Sequence, residues 1–235
     1  NANSGVATNV VIASVTKNDD NPLAGGETII RVNLTITGTV SGNETIEIKP
    51  VADSIYDAVG NAASNTETTG ALTLNDEYNP LVISYSPADG ATGVGINDDL
   101  VIVFNDSMVK GTGNIVIYNG GTFETIAVGD VTLSQTNVAN DTVTIDPSGT
   151  FAGETGYYVQ IAATAFDDDA GNSYAGITNN TDWNFTVADV AGPTISNASL
   201  EAANAYVDIT FDEGVYDTNG GSGALETTDL ALTFN

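Results

Sequence analysis

Carboxylate and amide side chains that could bind a cation are concentrated in three short segments of the sequence. One segment precedes Pro80, one closely follows the apolar run 100–104, and one is the loop sequence DDDAGN at 167–172. Oxygen ligands of this kind suit calcium, which takes about six to eight of them in irregular geometry. Carboxylates that a fold brings together repel one another unless a cation lies among them. The predicted calcium ligands in these segments are Asp76, Glu77, Asp106, Asp167, Asp168, Asp169 and Asn172.

Each of the three segments has a second copy elsewhere in the chain. The matched pairs of segments are 74–80 with 187–193, 100–108 with 207–215, and 165–176 with 54–64. The second predicted set of calcium ligands is Asp57, Asn61, Asp189, Asp212 and Glu213. The alternative is that all of these are solvated turn residues, because Asp and Asn commonly form turns. We favour calcium because the three segments recur together, although DDDAGN is not an EF-hand loop: Thr178, not Glu, falls where that loop ends.

The composition excludes several kinds of chemistry. The 235 residues include 31 acidic side chains, four basic ones, and no histidine or cysteine, so that the formal net charge is −27. Catalysis by a Ser-His-Asp or Cys-His arrangement and metal sites built on His or Cys are therefore ruled out. So negative a chain is repelled by nucleic acids and anionic membrane surfaces, and it has no run of about 18 apolar residues. We expect no nucleic-acid partner and no membrane insertion.

The elements that must position these loops are predicted to be β-strands. Apolar and polar residues alternate with period two in several places, as in TIEIKP at 45–50, and no segment has helical periodicity. Turn signals such as NGG at 119–121 and DPSG at 146–149 separate these runs at short intervals. This pattern predicts an all-β sandwich or barrel. The side chains predicted to face its core are Ile102, Phe104, Tyr157, Val159, Ile161, Trp183 and Phe185.

The repeats are out of frame, which predicts one complete domain and two partial ones. In residues 74–172 the order is linker, strand, loop, whereas the copies come in the order loop, linker, strand. The predicted parts are the C-terminal part of a domain at 1–77, a complete domain at 78–192, and the N-terminal part of the next domain at 193–235. Joining residue 235 to residue 1 gives one continuous domain sequence. Its strands are predicted at 194–200, 205–211, 228–235, 6–16, 28–36, 43–49 and 70–75.

Several motifs resemble a known family. The runs SPADGATGVGINDDLVIVFNDSM, GYYVQI, DDDAGN and WNFTV occur in that order and are similar to the bacterial Ig-like domain of S-layer repeats. The flanking runs FDEGVYDTNGGSGALETTDLALTFN and GGETIIRVNLTITGTVSGNETIEIKPVADSIYDAVGNAAS resemble repeats of giant bacterial surface adhesins, including those of the cyanobacterial swimming-associated surface protein type. The resemblance implies an all-β fold of tandem Ig-like Greek-key β-sandwiches, located outside the cell at its surface and often stiffened by calcium.

The positions of the chain ends in an Ig-like sandwich determine whether residues 1–75 and 193–235 of one chain can pack together. The loops after the second and sixth strands lie at the end where the chain enters, and the chain leaves at the opposite end. The pieces 1–75 and 193–235 should then lie beyond opposite ends of the complete domain, and neither can bury its apolar face alone. Two arrangements remain open: a long periodic chain, or separate subunits that complete each other by strand complementation. We favour the periodic chain, because the join reads as uninterrupted strand and turn sequence.

These features predict a structural function. The chain is expected to be a repeat unit of an extracellular filament, adhesin stalk or surface layer, with other copies of itself as partners and calcium (Ca2+) stiffening the junctions between domains. The alternative is a carbohydrate-binding or adhesive module of a secreted protein, which needs an exposed aromatic platform. The candidates for that platform are Tyr78, Tyr118 and Tyr174. We expect no enzymatic activity, because the carboxylates lie in loops at domain junctions and no substrate-positioning motif accompanies them.

Overall fold

The fold consists of β-strands and turns throughout residues 7–134 and 141–233, the part of the chain that the computed structural model describes. Short segments rich in β-branched residues and bounded by Gly, Asn and Asp form these strands, as such composition favours. A one-turn 3-10 helix at Val128–Asp130 separates the tenth and eleventh strands. The strands are β1 (Asn9–Thr16), β2 (Arg31–Thr37), β3 (Thr45–Ile46), β4 (Leu72–Thr73), β5 (Val82–Ser86), β6 (Ala91–Val94), β7 (Leu100–Phe104), β8 (Met108–Lys110), β9 (Asn114–Tyr118), β10 (Thr122–Ala127), β11 (Thr132–Ser134), β12 (Thr142–Ile145), β13 (Gly156–Ile161), β14 (Phe166–Asp168), β15 (Asn184–Val187), β16 (Ile195–Leu200) and β17 (Val207–Phe211).

The chain divides into two compact units, Asn1–Ala188 and Asp189–Asn235. The first unit contains a complete β-sandwich between β5 and β15. One of its sheets has the strand order β10-β9-β13-β15-β6, and the other has the order β11-β12-β7-β5. Neighbours in these sheets are antiparallel except β15 and β6, which run parallel. The non-consecutive order is that of a Greek-key sandwich, so the predicted all-β sandwich class is confirmed.

The core of this sandwich lies between the two sheets. All seven side chains predicted to face inward are at most 2% exposed, which confirms the predicted strand register. Trp183 stacks on Tyr85 with ring centroids 4.6 Å apart, and its Nε1 donates to the carbonyl of Pro87 at 2.9 Å. The hydroxyl of Tyr157 accepts a hydrogen bond from the backbone N–H of Ala152 at 2.9 Å, as in the tyrosine corner of Ig-like sandwiches. Each large side chain buried in this way contributes about 1.5–3 kcal/mol.

Residues 7–75 form two separate two-stranded sheets, β1 with β2 and β3 with β4. The strands expected at 43–49 and 70–75 are reduced to two residues each. A strand is stabilised by neighbours on its edges and by a covered face. Here β3 and β4 pair only with each other among the described residues. The shortened pairing follows from that missing support.

The second unit contains one hairpin, in which β16 pairs antiparallel with β17. The expectation of a strand at 228–235 is wrong for residues 228–233, which are irregular, and residues 234–235 lie outside the described part. Leu230 and Leu232 in this segment are exposed. An alternating sequence forms a strand only where a neighbouring strand and a core receive it, because the backbone groups and apolar side chains need partners.

Candidate metal centre

Three aspartates that are distant in sequence meet at one end of the sandwich. Asp76 comes from the segment before β5, Asp106 follows β7, and Asp168 ends β14. One carboxylate oxygen from each lies within 4.8 Å of the other two. We call these residues the acidic triad. Among residues 7–134 and 141–233, no other group of three acidic, histidine or cysteine side chains has ligand atoms this close.

The Asp168 carboxylate is held by its own turn. Its Oδ1 accepts the backbone N–H groups of Ala170 and Asn172 at 2.9 and 2.8 Å, and its Oδ2 accepts Nδ2 of Asn172 at 2.9 Å. Gly171 closes the turn at φ +93°, a conformation that favours glycine. Asp168 is itself buried. The sequence DDAGN thus fixes a buried carboxylate in a single orientation.

Burial and the neighbouring carboxylates disfavour the negative charge of Asp106. Desolvation raises the pKa of the Asp106 carboxyl, the negative charges of Asp168 and Asp76 raise it further, and the backbone N–H of Ser107 partly offsets this by donating to Oδ1 at 2.8 Å. A cation among the three carboxylates reverses this penalty, because it favours the charged form.

Asp76 connects the triad to the chain that precedes the sandwich. Its Oδ1 accepts the backbone N–H of Tyr78 at 2.8 Å, and its backbone carbonyl accepts Nδ2 of Asn172 at 3.3 Å. Ser41, which is buried, forms a β-bridge with Asp76, and the backbone N–H of Glu77 donates to the carbonyl of Val40 at 2.9 Å. A ligand at the triad would therefore contact the linker itself as well as two loops of the sandwich.

The triad fits calcium in both chemistry and spacing. A pocket of about 240 Å³ opens at the triad and is also lined by Ser107, Asp169 and Ala170. Every side-chain donor in the triad is a hard oxygen, as calcium prefers. Two oxygens bound to one calcium ion at about 2.3–2.6 Å lie at most about 5 Å apart. The spacing within 4.8 Å is therefore compatible with one shared ion.

The other predicted ligands of the first set lie around the triad in different roles. Asp169 lines the pocket. Asp167 accepts a hydrogen bond from the Ser173 hydroxyl at 2.5 Å. Asn172 contributes its amide nitrogen as a donor to Asp168 and to the Asp76 carbonyl. Glu77 is exposed.

The predicted ligands of the second set lie in turns that have the same hydrogen bonds as those of the first set, beginning with the turn at Asp57. Oδ1 of Asp57 accepts the N–H groups of Val59 and Asn61 at 2.9 and 2.8 Å, and its Oδ2 accepts Nδ2 of Asn61 at 2.8 Å. Gly60 closes this turn at φ +91°. The hydrogen bonds from Asn61, more than the one from Val59, lower the pKa of the exposed Asp57 carboxyl. This loop matches the Asp168 loop bond for bond.

The linker and strand-end residues of the second set also match their counterparts. Asp189 accepts the N–H of Ala191 at 2.9 Å, as Asp76 does from Tyr78. Asp212 accepts the N–H of Thr194 at 2.7 Å and the Thr194 hydroxyl at 2.5 Å, and these bonds lower its pKa. The residue in the position of Asp212 in the complete sandwich is Asn105, whose Oδ1 accepts the N–H of Leu81 at 2.7 Å. Glu213 follows, in the position of Asp106.

One buried acidic residue that supports the triad is not among the predicted ligands. Asp141 is fully buried, accepts the N–H of Met108 at 2.8 Å, and donates its own N–H to the carbonyl of Asp106 at 3.2 Å. It holds the segment after β7 in place. The only signal in the sequence is an acidic residue directly before the alternating strand TVTI, which is also what an ordinary turn looks like.

Comparison with known proteins agrees with the fold. Residues 76–187 match the family described as bacterial Ig-like domain. The fold of these residues is that of an Ig-like β-sandwich, in agreement with this match. The resemblance noted from the motifs is thus confirmed for these residues.

Searches against whole proteins give fewer and weaker similarities than the family comparison. No curated protein matches the chain. Among solved structures, the N-terminal part of the bacterial S-layer protein SbsC is similar, with 15% identity over 61% of this chain and a TM-score of 0.31. The matched region is 37% of that S-layer chain. In the described residues, no helix is long and apolar enough to cross a membrane.

Proposed function

We propose that the chain is a structural repeat unit of an extracellular filament, adhesin stalk or surface-layer protein, with calcium at the junctions between stacked domains. The observation that carries this proposal is the position of the acidic triad. Asp76 belongs to the linker, whereas Asp106 and Asp168 belong to the sandwich. The match of residues 76–187 to the bacterial Ig-like domain supports the structural part of the proposal.

The mechanism of stiffening follows from the contacts of the linker. Without a cation the three carboxylates repel one another, and Asp106 also bears the cost of burial. A calcium ion shared by the triad replaces repulsion with attraction, and it ties the linker to the loops after β7 and β14. The segment bridged to Asp76 through Ser41 is then restrained together with the linker. The bend between successive domains becomes smaller.

The second set of ligands is proposed for the same role between copies. Asp57, Asp189 and Glu213 occupy turns equivalent to those of Asp168, Asp76 and Asp106. We place them at the next junction of the array, where residues 54–64 of one copy meet residues 189–215 of another.

Two parts of this proposal concern location and the absence of catalysis. Bacterial Ig-like domains are non-catalytic in fold, and the acidic loops lie at a junction rather than in a substrate cleft. The net charge of −27 opposes binding to nucleic acids and to anionic membranes. We propose an extracellular location at the cell surface and partners that are other copies of the same chain.

The carbohydrate-binding alternative depends on an exposed aromatic surface. Tyr174 is buried and packs edge-on against Phe104, so it offers no platform. Tyr118 stacks on Tyr158 with centroids 4.8 Å apart, and both rings are half-buried on the sheet. Tyr78 is half-buried in the linker. None of these observations favours the alternative over a structural role.

The test is a thermal unfolding series in calcium and in chelator. Calcium that binds the folded state stabilises it by about 2.7 kcal/mol at 100 times its Kd. We expect calcium to raise the Tm of the chain and of Asp146→Asn, an exposed residue beyond the opposite end of β12. Asp106→Asn keeps the shape and loses one charge, so its Tm should respond little to calcium. A wild-type Tm that is identical in calcium and in chelator would contradict the proposal.

A further inference from the structure

The hairpin of the second unit reproduces the hairpin β5–β7 of the complete sandwich residue by residue. Ile195 pairs with Phe211 and Asn197 with Thr210, as Val82 pairs with Phe104 and Ser84 with Val103. Both pairings carry a register shift at the same place, directly after the first of these pairs. A side-chain hydrogen bond closes the end of each hairpin in the same way: the backbone N–H of Thr194 donates to Asp212, and that of Leu81 donates to Asn105.

Residues 7–75 reproduce the other strands of the same sandwich. Thr45 pairs with Thr73 and Ile46 with Leu72, as Gly156 pairs with Thr186 and Tyr157 with Phe185. The spacing along the chain is also the same, because a constant offset of 111 residues relates 31 to 142, 45 to 156 and 57 to 168. On this offset β2 corresponds to β12, and β1, its antiparallel neighbour, corresponds to β11.

The two sets of strands are complementary. In the complete sandwich one sheet has the order β11-β12-β7-β5. In the described part of the chain β2 pairs only with β1, and β17 pairs only with β16. The hairpin β1–β2 therefore lacks a neighbour equivalent to β7, and the hairpin β16–β17 lacks a neighbour equivalent to β12.

The side chains at the two open edges are also complementary. Val207 and Ile209 are 52% and 39% exposed, whereas Leu100 and Ile102 in the same positions are fully buried. An open groove of about 430 Å³ lies in residues 7–75, and it is lined by apolar side chains such as Leu34, Ile46 and Ile48 together with Glu47 and Lys49. Exposed edges and apolar faces of this kind pair with a matching strand.

We propose that β17 of one copy pairs antiparallel with β2 of a second copy of this chain, in the register of β7 with β12. The observed pairs Ile102–Val143 and Leu100–Ile145 then correspond to Ile209–Val32 and Val207–Leu34. These pairs face the core, while Asp208–Asn33 and Thr210–Arg31 face outward. The resulting sheet has the order β1-β2-β17-β16. The inference rests on the proposed structural function and names a second copy as its partner.

The path of the chain through the complete sandwich favours a second copy over closure within one chain. The chain enters at Asp76, beside the loop after β14, and the backbone of Ala188 bonds to Val94 and Glu154 at the start of β13. The six residues of β13 alone separate these ends by about 20 Å. The chain therefore enters and leaves this sandwich at opposite ends.

Engineered cysteines test the register, because the chain contains none of its own. The full chain is prepared as two single variants, Asp208→Cys and Asn33→Cys, which are mixed and oxidised. Directly opposed residues on neighbouring strands have Cβ atoms about 4.5–5.5 Å apart, close to disulfide geometry. The control mixture pairs Asp208→Cys with Val32→Cys, whose side chain lies on the other face of β2. Each variant oxidised alone measures the background.

We expect the matched mixture to give at least tenfold more cross-linked dimer than the control, at twice 24.0 kDa on a non-reducing gel. Equal yields from both mixtures would overturn the register. The double variant Asp208→Cys/Asn33→Cys in one chain, if it forms only an internal cross-link, would overturn pairing with a second copy.

A second measurement keeps the test independent of folding failures and of calcium. Ile209→Asn should reduce association by at least tenfold in sedimentation experiments. Trp183, the single tryptophan, is buried in the complete sandwich and reports whether that domain remains folded. Unchanged association of Ile209→Asn would contradict the pairing. Both experiments are run in chelator and in calcium. Register-specific cross-linking with a Tm that does not respond to calcium would overturn only the proposed calcium role. A Tm that rises in calcium without such cross-linking would overturn only the pairing.

Discussion

The complete sandwich and the hairpin β16–β17 contain nearly the same local structure with opposite burial. Leu100, Ile102 and Phe104 are fully buried, whereas Val207 and Ile209 in the same register are exposed. The strand pairing, the register shift and the side-chain hydrogen bond that closes the hairpin are nonetheless alike. Local sequence is therefore sufficient for the hairpin, and the core depends on strands that come from elsewhere in the sequence. Three pairs of matched substitutions, in the hairpin and in the loop at 57–61, and one pH series in the sandwich test how burial changes the effect of the same local structure.

The largest expected difference concerns the two phenylalanines that end β7 and β17. Phe104 packs against Phe166 and Tyr174, so Phe104→Ala should lower the free energy of unfolding by about 3–5 kcal/mol. Phe211→Ala should lower the stability of its own hairpin by only about 1 kcal/mol or less, because Phe211 is half-buried in a two-stranded sheet and not in a closed core. Denaturant unfolding followed by Trp183 fluorescence measures the loss in the sandwich, and hydrogen exchange over residues 195–211 measures the loss in the hairpin. Equal losses would mean that Phe211 is already buried in the isolated chain.

A second pair compares the matched loops. Asp168→Asn and Asp57→Asn each lose the same hydrogen bond from a neighbouring asparagine side chain. Only Asp168 is buried and belongs to the acidic triad. We expect Asp168→Asn to lose most of the calcium-dependent increase in Tm, and Asp57→Asn to retain it. Calorimetry in calcium and in chelator provides the measurement, and a similar loss in both variants would argue against the triad as the main site.

A third pair tests the turn that both loops share. Gly171 and Gly60 have φ of +93° and +91°, and in both loops there is open space where a Cβ would lie. Alanine at either position should therefore cost about 1 kcal/mol from backbone strain alone. For Gly171→Ala this cost should appear in the unfolding of the sandwich. For Gly60→Ala it should appear only as faster hydrogen exchange near residues 57–61, and a global loss of stability there would be unexpected.

The smallest effect is a dependence on pH that belongs to Asp106. Burial and the neighbouring carboxylates raise its pKa above the ordinary 3.8. The folded state thus holds more protons at this group than the unfolded state, so its contribution to stability falls as the pH rises from 3.8 through the folded pKa. In chelator, Asp106→Asn should gain stability relative to wild type over that interval. Asp146→Asn is the control, and a difference independent of pH would contradict the assignment.

Much of the fold and of the triad could be predicted from sequence, because both depend on local pattern and on topology. Alternation placed Trp183 and Phe185 in the core, and the shared end of the linker and two loops in an Ig-like sandwich placed Asp76, Asp106 and Asp168 together. What failed depended on contacts from other elements. Residues 228–233 alternate like a strand and have no sheet to join, and Tyr174 is buried by Phe104 rather than exposed. The supporting role of Asp141 follows from packing, which a turn-like sequence does not reveal.

The parallel pairing of β6 with β15 has a mechanical consequence. These strands lie near the two chain ends of the sandwich, and bonds such as Gly90 N–H to the Asn184 carbonyl and Ala188 N–H to the Val94 carbonyl join their segments at 2.8 Å. When the two ends are pulled apart, parallel neighbours slide along each other instead of peeling open. Such a load is shared by several hydrogen bonds at once and must break them together. The domain is therefore expected to resist tension along the chain more strongly than tension that separates the strands one bond at a time.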